Sequence, residues 1–130
     1  MVIRYLIDSS IANKYLNGGL PEEEFIFLDT ILEMESVISV ITKIELLSWV
    51  TDNREQYHKV EIFVENSTVL DLTHEIVNKT IELRRKYKQK TPDAIIASTA
   101  LVHNLVTLTD NEKDFHNIKG LKMLNPNRKN

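Results

Sequence analysis

The chain has 130 residues, of which 42% are hydrophobic and 27% charged, and its formal net charge is −3. This length and composition are typical of one globular domain, so we expect a single domain over residues 1–130 with a disordered tail from about residue 126. The sequence contains no cysteine, which excludes disulfide scaffolds, thiolate metal sites and cysteine nucleophiles. The negative charge argues against a broad basic surface for nucleic acid.

The N-terminal residues lack the features of a signal peptide, and no apolar run approaches the roughly 18 residues that span a bilayer. We therefore expect a cytoplasmic protein with no membrane partner. The four histidines lie on different elements without metal-ligand spacing, so histidine-based metal binding is not expected.

Five short aliphatic or β-branched runs predict strands, and most are continuously apolar, as in parallel strands covered on both faces. The predicted strands are Val2–Asp8, Ser36–Ile41, Thr68–Leu72, Leu105–Thr109 and Leu121–Leu124.

Segments with helical spacing lie between these strands. A helix-start pattern follows Asp8, a second helix lies in "LPEEEFIFLDTILEME", and further helices begin near Thr42, Asn53, Thr73 and Thr91. The inner faces are predicted to include Phe25, Leu28, Ile31 and Leu32, then Tyr57, Val60, Ile62, Phe63 and Val64, and then Ile76, Val77, Ile81 and Leu83. This alternation predicts an α/β fold with a mostly parallel five-stranded sheet and helices on both faces.

A basic run, "RRKYKQK" at residues 84–90, could assist phosphate binding locally. We interpret it instead as the solvated last turn of a helix, because cations are favourable at the negative end of the helix dipole.

Acidic residues follow strand ends or open helices at four places. Asp8 ends the first strand, Glu45 follows the second, Asp93 opens a helix, and "TDNEKDF" after the fourth strand contains Asp110 and Asp114. Because ligands of parallel α/β sheets bind at the carboxyl ends of the strands, we expect these groups at one edge.

Each acid alone also has a purely structural explanation. Asp8, Ser9 or Ser10 could be an N-cap, and Thr42 with Glu45 has the spacing of a capping box. Thr91 is a predicted N-cap that places Asp93 in the first helical turn, and "TDNEKDF" could be a polar turn.

Four converging acids repel one another unless a cation lies among them. Oxygen-only ligands favour Mg²⁺ or Mn²⁺, and such an ion can activate water for attack on a phosphodiester. The sequence therefore predicts a metal-dependent hydrolytic site.

The stretches "YLIDSSI", "SVITKIELL", "TPDAIIASTAL" and "LVTLTDNEKDF" resemble the PIN-domain family, most closely the VapC-type ribonuclease toxins. The resemblance spans nearly the whole chain. It implies a three-layer α/β/α sandwich and a Mg²⁺- or Mn²⁺-dependent endoribonuclease acting on RNA. It also implies a cognate antitoxin partner and a toxin homodimer.

The same resemblance assigns roles to individual residues. Asp8 and Asp93 match the principal metal ligands, and Glu45 matches a ligand or water-positioning base. The fourth acid is either Asp110, as a ligand, or Asp114, as a catalytic group. The remaining two matches are Asn111, which could contact substrate, and Ser9, which could bind a carboxylate or a substrate phosphate.

Three other functions stay open at this point. A non-toxin PIN nuclease in RNA processing and an inert PIN-like module that binds RNA or a partner are both compatible with the motifs. A phosphoacceptor receiver domain is disfavoured, since Asp71 lies inside a predicted strand and no lysine follows the last strand.

Overall fold

The computed structural model describes residues 2–49 and 51–127, and all five predicted strands are present in shorter form. The strands are β1 (Tyr5–Ile7), β2 (Val37–Ser39), β3 (Thr68–Leu70), β4 (Val106–Leu108) and β5 (Met123–Leu124). The helices are α1 (Ser9–Asn17), α2 (Glu22–Met34), α3 (Val40–Ser48), α4 (Arg54–Glu65), α5 (His74–Tyr87), α6 (Thr91–His103) and α7 (Glu112–Phe115).

Every paired strand of the described chain is parallel to its partner. β1, β4 and β5 form one hydrogen-bonded set, and β2 with β3 forms another. β1 and β2 are neighbours, but no ladder joins them in the described residues. The spatial order is therefore β3, β2, β1, β4, β5, which confirms a mostly parallel sheet.

The sheet separates two apolar clusters, because successive residues of a strand point to opposite faces. Leu6 and Val37 pack with Leu83, Ile96 and Phe115 of α5, α6 and α7. Their neighbours Ile7 and Ile38 pack instead with residues of α1, α2, α3 and α4, among them Ile11, Leu28, Leu46, Val60 and Val64. This is the expected α/β/α layering.

The start of α3 differs from the prediction. The helix begins at Val40, and the N-cap is Ser39, whose hydroxyl accepts from the backbone N–H of Ile41 at 3.0 Å. Thr42 therefore lies within the helix, and the predicted capping box of Thr42 and Glu45 is wrong. The sequence did not indicate Ser39 as the N-cap, because the apolar run around it predicted a strand through Ile41.

The start of α6 is also shifted by one residue. Lys90 occupies the N-cap without a side-chain hydrogen bond, and Thr91 is the first helical residue, so the predicted N-cap at Thr91 is wrong. Asp93 still lies in the first turn, and Ala94–Ala100 are all buried.

Four of the predicted inner-face residues are partly exposed. Val77 and Ile81 of α5, Ile62 of α4 and Phe25 of α2 have between 36% and 45% of their surface exposed. In α5, Thr80 is buried instead and donates to the carbonyl of Ile76 at 2.7 Å. A buried threonine that bonds its own helix fills a position that the apolar pattern assigned to aliphatic residues.

Asp71 follows β3 rather than lying inside a strand, so that prediction is wrong. The preceding strand, β3, is at the edge of the described sheet and is paired only with β2. None of the helices in residues 2–49 and 51–127 is long and apolar enough to cross a membrane. The predicted tail lies mostly outside the described residues, and its disorder stays a prediction.

Candidate active site

Asp8 lies at the centre of the carboxyl edge of the sheet. Its backbone N–H donates to the carbonyl of Leu108 at 2.9 Å, which extends the pairing of β1 with β4 by one residue. Its side chain is the N-cap of α1 and accepts from the N–H of Ser9 at 2.8 Å. The predicted capping role thus belongs to Asp8 rather than to Ser9 or Ser10.

Two hydroxyl groups complete the surroundings of the buried Asp8 carboxylate. Thr109 Oγ1 donates to Oδ2 at 2.8 Å, and Ser10 Oγ lies 3.3 Å from the same oxygen. Burial raises the pKa of Asp8 above its ordinary value, while the bonds from Thr109, Ser9 and Ser10 oppose that rise. The net direction is upward, so this carboxylate gains from a nearby cation.

Glu45 reaches the site from α3 and is held by Ser9. Ser9 Oγ donates to Glu45 Oε1 at 2.6 Å and lies 2.9 Å from Thr42 Oγ1. Because the single hydroxyl hydrogen of Ser9 is directed to the carboxylate, Thr42 is the donor in the second bond. Ser9 therefore binds a carboxylate, which was one of its two predicted roles.

Asp93 interacts electrostatically with the other three predicted catalytic acids. Burial is the main cause that raises the pKa of Asp93 to about 6, followed by the negative charges of Asp114, Asp8 and Glu45. Lys90 opposes the rise. The four acids thus share one electrostatic field although they come from four separate helices or helix caps.

Asp110 and Asp114 have different surroundings. Asp110 forms an ion pair with Lys14 of α1 and accepts from Ser10 Oγ at 3.1 Å. Asp114 lies on α7 with its carboxylate exposed, and its charge has the largest electrostatic effect on Asp93. The charge of Asp110 is thus balanced within the protein, whereas that of Asp114 acts on the site.

Asn111 lies at the same edge, at the N-cap position of α7. Its backbone N–H donates to Thr109 Oγ1 at 2.9 Å, and its side chain is exposed and makes no capping bond. This placement leaves the Asn111 amide directed to solvent beside the acids, where a substrate could reach it.

The oxygen donors at this edge fit a hard divalent ion in their chemistry, because carboxylates with raised pKa values gain from a cation. Within the described residues, no three acidic or histidine side chains lie close enough to surround one ion together. A bound ion would therefore keep several water ligands, as Mg²⁺ commonly does in proteins.

A cleft of about 490 Å³ adjoins the acids on the side of α5 and α7. Asp93 and Asp114 lie at its border. Its other lining residues include Lys86, Lys88, Lys90 and Lys113. The site is thus continuous with a cleft that has a basic wall.

Three supporting residues were not predicted as part of the site. Thr109 orients Asp8, Thr42 supports Ser9, and Lys14 pairs with Asp110. Lys14 is four residues after Ser10 and therefore lies on the same face of α1. This spacing was the one feature of the sequence that could have indicated a role for Lys14 at the site. Thr42 was assigned to a cap, and the bond from Thr109 joins residues 101 positions apart, so no local pattern predicts it.

Comparison with known proteins decides the family. A family model described as the PIN domain matches residues 5–121. The chain belongs to the PIN-domain family. The predicted resemblance is confirmed, and PIN membership supports a nuclease function. No curated protein sequence matches the chain.

Solved structures with the same fold include a toxin–antitoxin complex and VapBC complexes. A toxin–antitoxin complex from Klebsiella pneumoniae contains a chain 28% identical to this PIN domain, with a TM-score of 0.75 and coverage of 94% of this chain and 97% of the other. VapBC2 from Rickettsia felis, bound to a promoter DNA fragment, gives 23% identity and a TM-score of 0.79, with coverage of 94% and 98%. VapBC-1 from nontypeable Haemophilus influenzae gives 23% identity and a TM-score of 0.78, with coverage of 97% of this chain and 100% of the other.

Proposed function

We propose that this PIN domain is a Mg²⁺- or Mn²⁺-dependent endoribonuclease and the toxin of a toxin–antitoxin pair. The observation that supports this most directly is the position of Asp93, whose pKa is raised to about 6 by burial and by the charges of Asp114, Asp8 and Glu45. Such a cluster is stabilised by a divalent cation, and PIN membership supports nuclease chemistry.

Asp8 and Asp93 are the principal residues proposed to hold the metal, Glu45 acts on it as a ligand or through the water that it positions, and Asp110 is an outer candidate because Lys14 already pairs with it. When bound, the ion supplies an activated water and neutralises charge on the phosphodiester. Asp8 is fixed for this role by the backbone N–H of Ser9 and the hydroxyl of Thr109.

Glu45 is the proposed proton acceptor, and Asp114 is a proposed catalytic group that positions the attacking water. Ser9 occupies Glu45 Oε1, which leaves Oε2 to accept a proton from the attacking water. Asp114 acts on Asp93 electrostatically and stands at the border of the cleft, where it can position the same water. Asn111 can donate its amide hydrogens to a substrate phosphate.

The proposed partners are RNA, a cognate antitoxin and a second copy of this chain. Solved structures of similar fold include a toxin–antitoxin complex and VapBC complexes, and some of the similar structures are also bound to DNA. The antitoxin would obstruct the acidic edge, and a cytoplasmic location fits an RNA substrate. These assignments extend the family membership and rest on it.

The test is cleavage of a mixed-sequence single-stranded RNA by the purified chain. Cleavage should require Mg²⁺ or Mn²⁺, should stop with a chelator, and should be lost in Asp8→Asn and Asp93→Asn proteins. Asp52→Asn, which alters an exposed acid between α3 and α4, is the matched control. Equal cleavage by the parent and both site variants would show the proposal to be wrong.

An inert RNA- or partner-binding module is the second candidate, because no three acidic or histidine side chains among the described residues close around one position. Calorimetric titration separates the two functions. Binding of Mg²⁺ or Mn²⁺ that is lost in Asp8→Ala supports the nuclease, whereas the absence of binding supports the inert module.

A further inference from the structure

The turn between α5 and α6 presents an unusual density of positive charge to the cleft. Lys86, Lys88 and Lys90 come from this turn and its flanks, and Lys113 comes from α7. Together with Asp93 and Asp114 they line one continuous cleft of about 490 Å³. The chain as a whole has a net charge of −3, so this cationic surface is local.

These four lysines are defined here as the lysine wall. None of them forms an ion pair with a carboxylate among the described residues, although Lys14 and Lys79 do. Lys90 lowers the pKa of Asp93, so the basic and acidic parts of the cleft lie within electrostatic reach of each other. Unpaired like charges in one cleft repel, and an anionic ligand relieves that repulsion.

The turn that carries the lysine wall is held by side chains. Arg84 donates to the carbonyl of Gln89 at 3.0 Å and to Thr91 Oγ1 at 2.7 Å. Gln89 Nε2 donates to the backbone carbonyl of Asp114 at 2.6 Å, which ties the turn to α7. Lys88 itself has a left-handed backbone with φ of 55°, a conformation that is uncommon for residues other than glycine.

These bonds position the cations before any ligand arrives. Because the backbone on both sides of the cleft is already joined through Gln89, binding does not have to order the turn, and less entropy is lost. The basic run at residues 84–90, interpreted from the sequence as a solvated helix end, is only partly that: Lys88 and Lys90 lie beyond α5, in the turn that forms the cleft.

We propose that the lysine wall binds the backbone of the single-stranded RNA beside the scissile phosphate, with Lys88 and Lys113 contacting phosphates and directing the strand to Asp93 and Asp114. The proposal rests on the proposed function for the identity of the ligand. A single strand can lie in a cleft of this size, and a basic groove that follows the backbone is how proteins bind single strands without sequence readout.

The test is fluorescence anisotropy with a labelled mixed-sequence single-stranded RNA of about 12 nucleotides, in a chelator so that no cleavage occurs. The variant is Lys88→Ala with Lys113→Ala. The control is Lys59→Ala with Lys122→Ala, which removes two exposed lysines from α4 and from the opposite edge of the sheet. All four positions are exposed, and a thermal melt verifies that each protein is folded.

The cleft variant should raise the Kd about 10-fold and reduce the slope of log Kd against log salt by about 1.4, or about 0.7 for each lost phosphate contact. The control should change the Kd less than about twofold. Equal weakening by both double variants, no weakening by either, or equal affinity of the parent for a duplex DNA of matched length would overturn the proposal.

A parallel cleavage assay separates this proposal from the nuclease function. If the parent binds RNA through Lys88 and Lys113 but does not cleave with Mg²⁺ or Mn²⁺, the lysine wall is supported and the nuclease is wrong. If the parent cleaves and the Lys88→Ala, Lys113→Ala protein binds and cleaves equally well, the nuclease stands and the lysine wall is wrong.

Discussion

Thr109 Oγ1 donates a hydrogen bond of 2.8 Å to Asp8 Oδ2 and joins the ends of two neighbouring parallel strands, β1 and β4. Thr109 Oγ1 also accepts a hydrogen bond of 2.9 Å from the backbone N–H of Asn111. Both Thr109 and Asp8 are buried, so the bond holds a carboxylate in a place that water scarcely reaches.

Thr109→Val should destabilise the protein by about 1–3 kcal/mol, because a buried carboxylate loses a charge-assisted hydrogen bond. The loss should shrink at acidic pH, since a protonated Asp8 depends less on the donor. Urea unfolding of parent and variant at several pH values measures both effects.

Thr107→Val is the matched control for that substitution. Thr107 is also buried in β4, and its hydroxyl has no hydrogen-bond partner in the described part of the chain. The control should therefore be neutral or slightly stabilising. An equal loss in both valine variants would mean that the bond to Asp8 contributes nothing specific.

Asp93→Asn should make the metal-free protein more stable at neutral pH by about 1 kcal/mol, a value reduced for the half-exposed position of the group. The pKa of Asp93 is raised to about 6, so the protonated side chain contributes favourably to the free energy of folding. This contribution is complete at pH values below the ordinary pKa of an aspartate. That contribution is lost as the pH rises through about 6, because the folded state then has to hold an ionised carboxylate there.

The measurement is the free energy of unfolding between about pH 4 and pH 8 in a chelator. The parent should lose stability relative to Asp93→Asn across that window, and the exposed control Asp52→Asn should follow the parent. A constant difference between parent and Asp93→Asn at all pH values would contradict the raised pKa.

The ion pair of Lys14 with Asp110 should contribute more than an ordinary surface pair. The Asp110 side chain is only 9% exposed, whereas both partners of the pair Lys79–Glu82 on α5 are at least 36% exposed. A double-mutant cycle with Lys14→Met and Asp110→Asn should give a coupling energy of about 1 kcal/mol. The corresponding cycle for Lys79 and Glu82 should give about 0.3 kcal/mol, and equal couplings would refute the distinction.

Ser9→Ala should reduce metal-dependent RNA cleavage about 10-fold while leaving the fold intact, because Glu45 loses the donor that orients Oε1. Ser36→Ala is the control, since the Ser36 hydroxyl also pairs with another side chain, Ser67 at 2.7 Å, but at the opposite edge of the sheet. Steady-state cleavage rates at saturating metal compare the two. Similar rates for both alanine variants would remove Ser9 from a positioning role.

The strand number, the parallel pairing and the edge at which the acids meet were predictable, because each depends on apolar runs and on the rule that ligands bind at carboxyl strand ends. Helix starts were less predictable. The N-caps are Ser39 and Lys90 rather than the predicted Thr42 and Thr91. A shift of a helix start by a few residues changes which side chain is the cap without changing the apolar pattern.

Contacts between distant segments could not be predicted from local sequence at all. The donors that orient the acids, Thr109 to Asp8 and Ser9 to Glu45, join residues 101 and 36 positions apart. The pairing of Asp110 with Lys14 likewise needs the packed α1 helix. The sequence indicated which acids lie at the edge, whereas the fold distinguishes Asp110, paired internally, from Asp114, open to the cleft.

The missing ladder between β1 and β2 has a mechanical consequence. Side chains hold this junction at both ends: Arg4 donates to both carboxylate oxygens of Glu35 at 2.9 and 2.8 Å, and Ser9 bonds Glu45 and Thr42 at the other end. Asp8 and Glu45 follow these two strands, so the separation of the two acids can adjust through side-chain rotation without breaking backbone pairing. In the described part of the chain, the candidate site thus lies where two neighbouring strands are joined by side chains rather than by a backbone ladder.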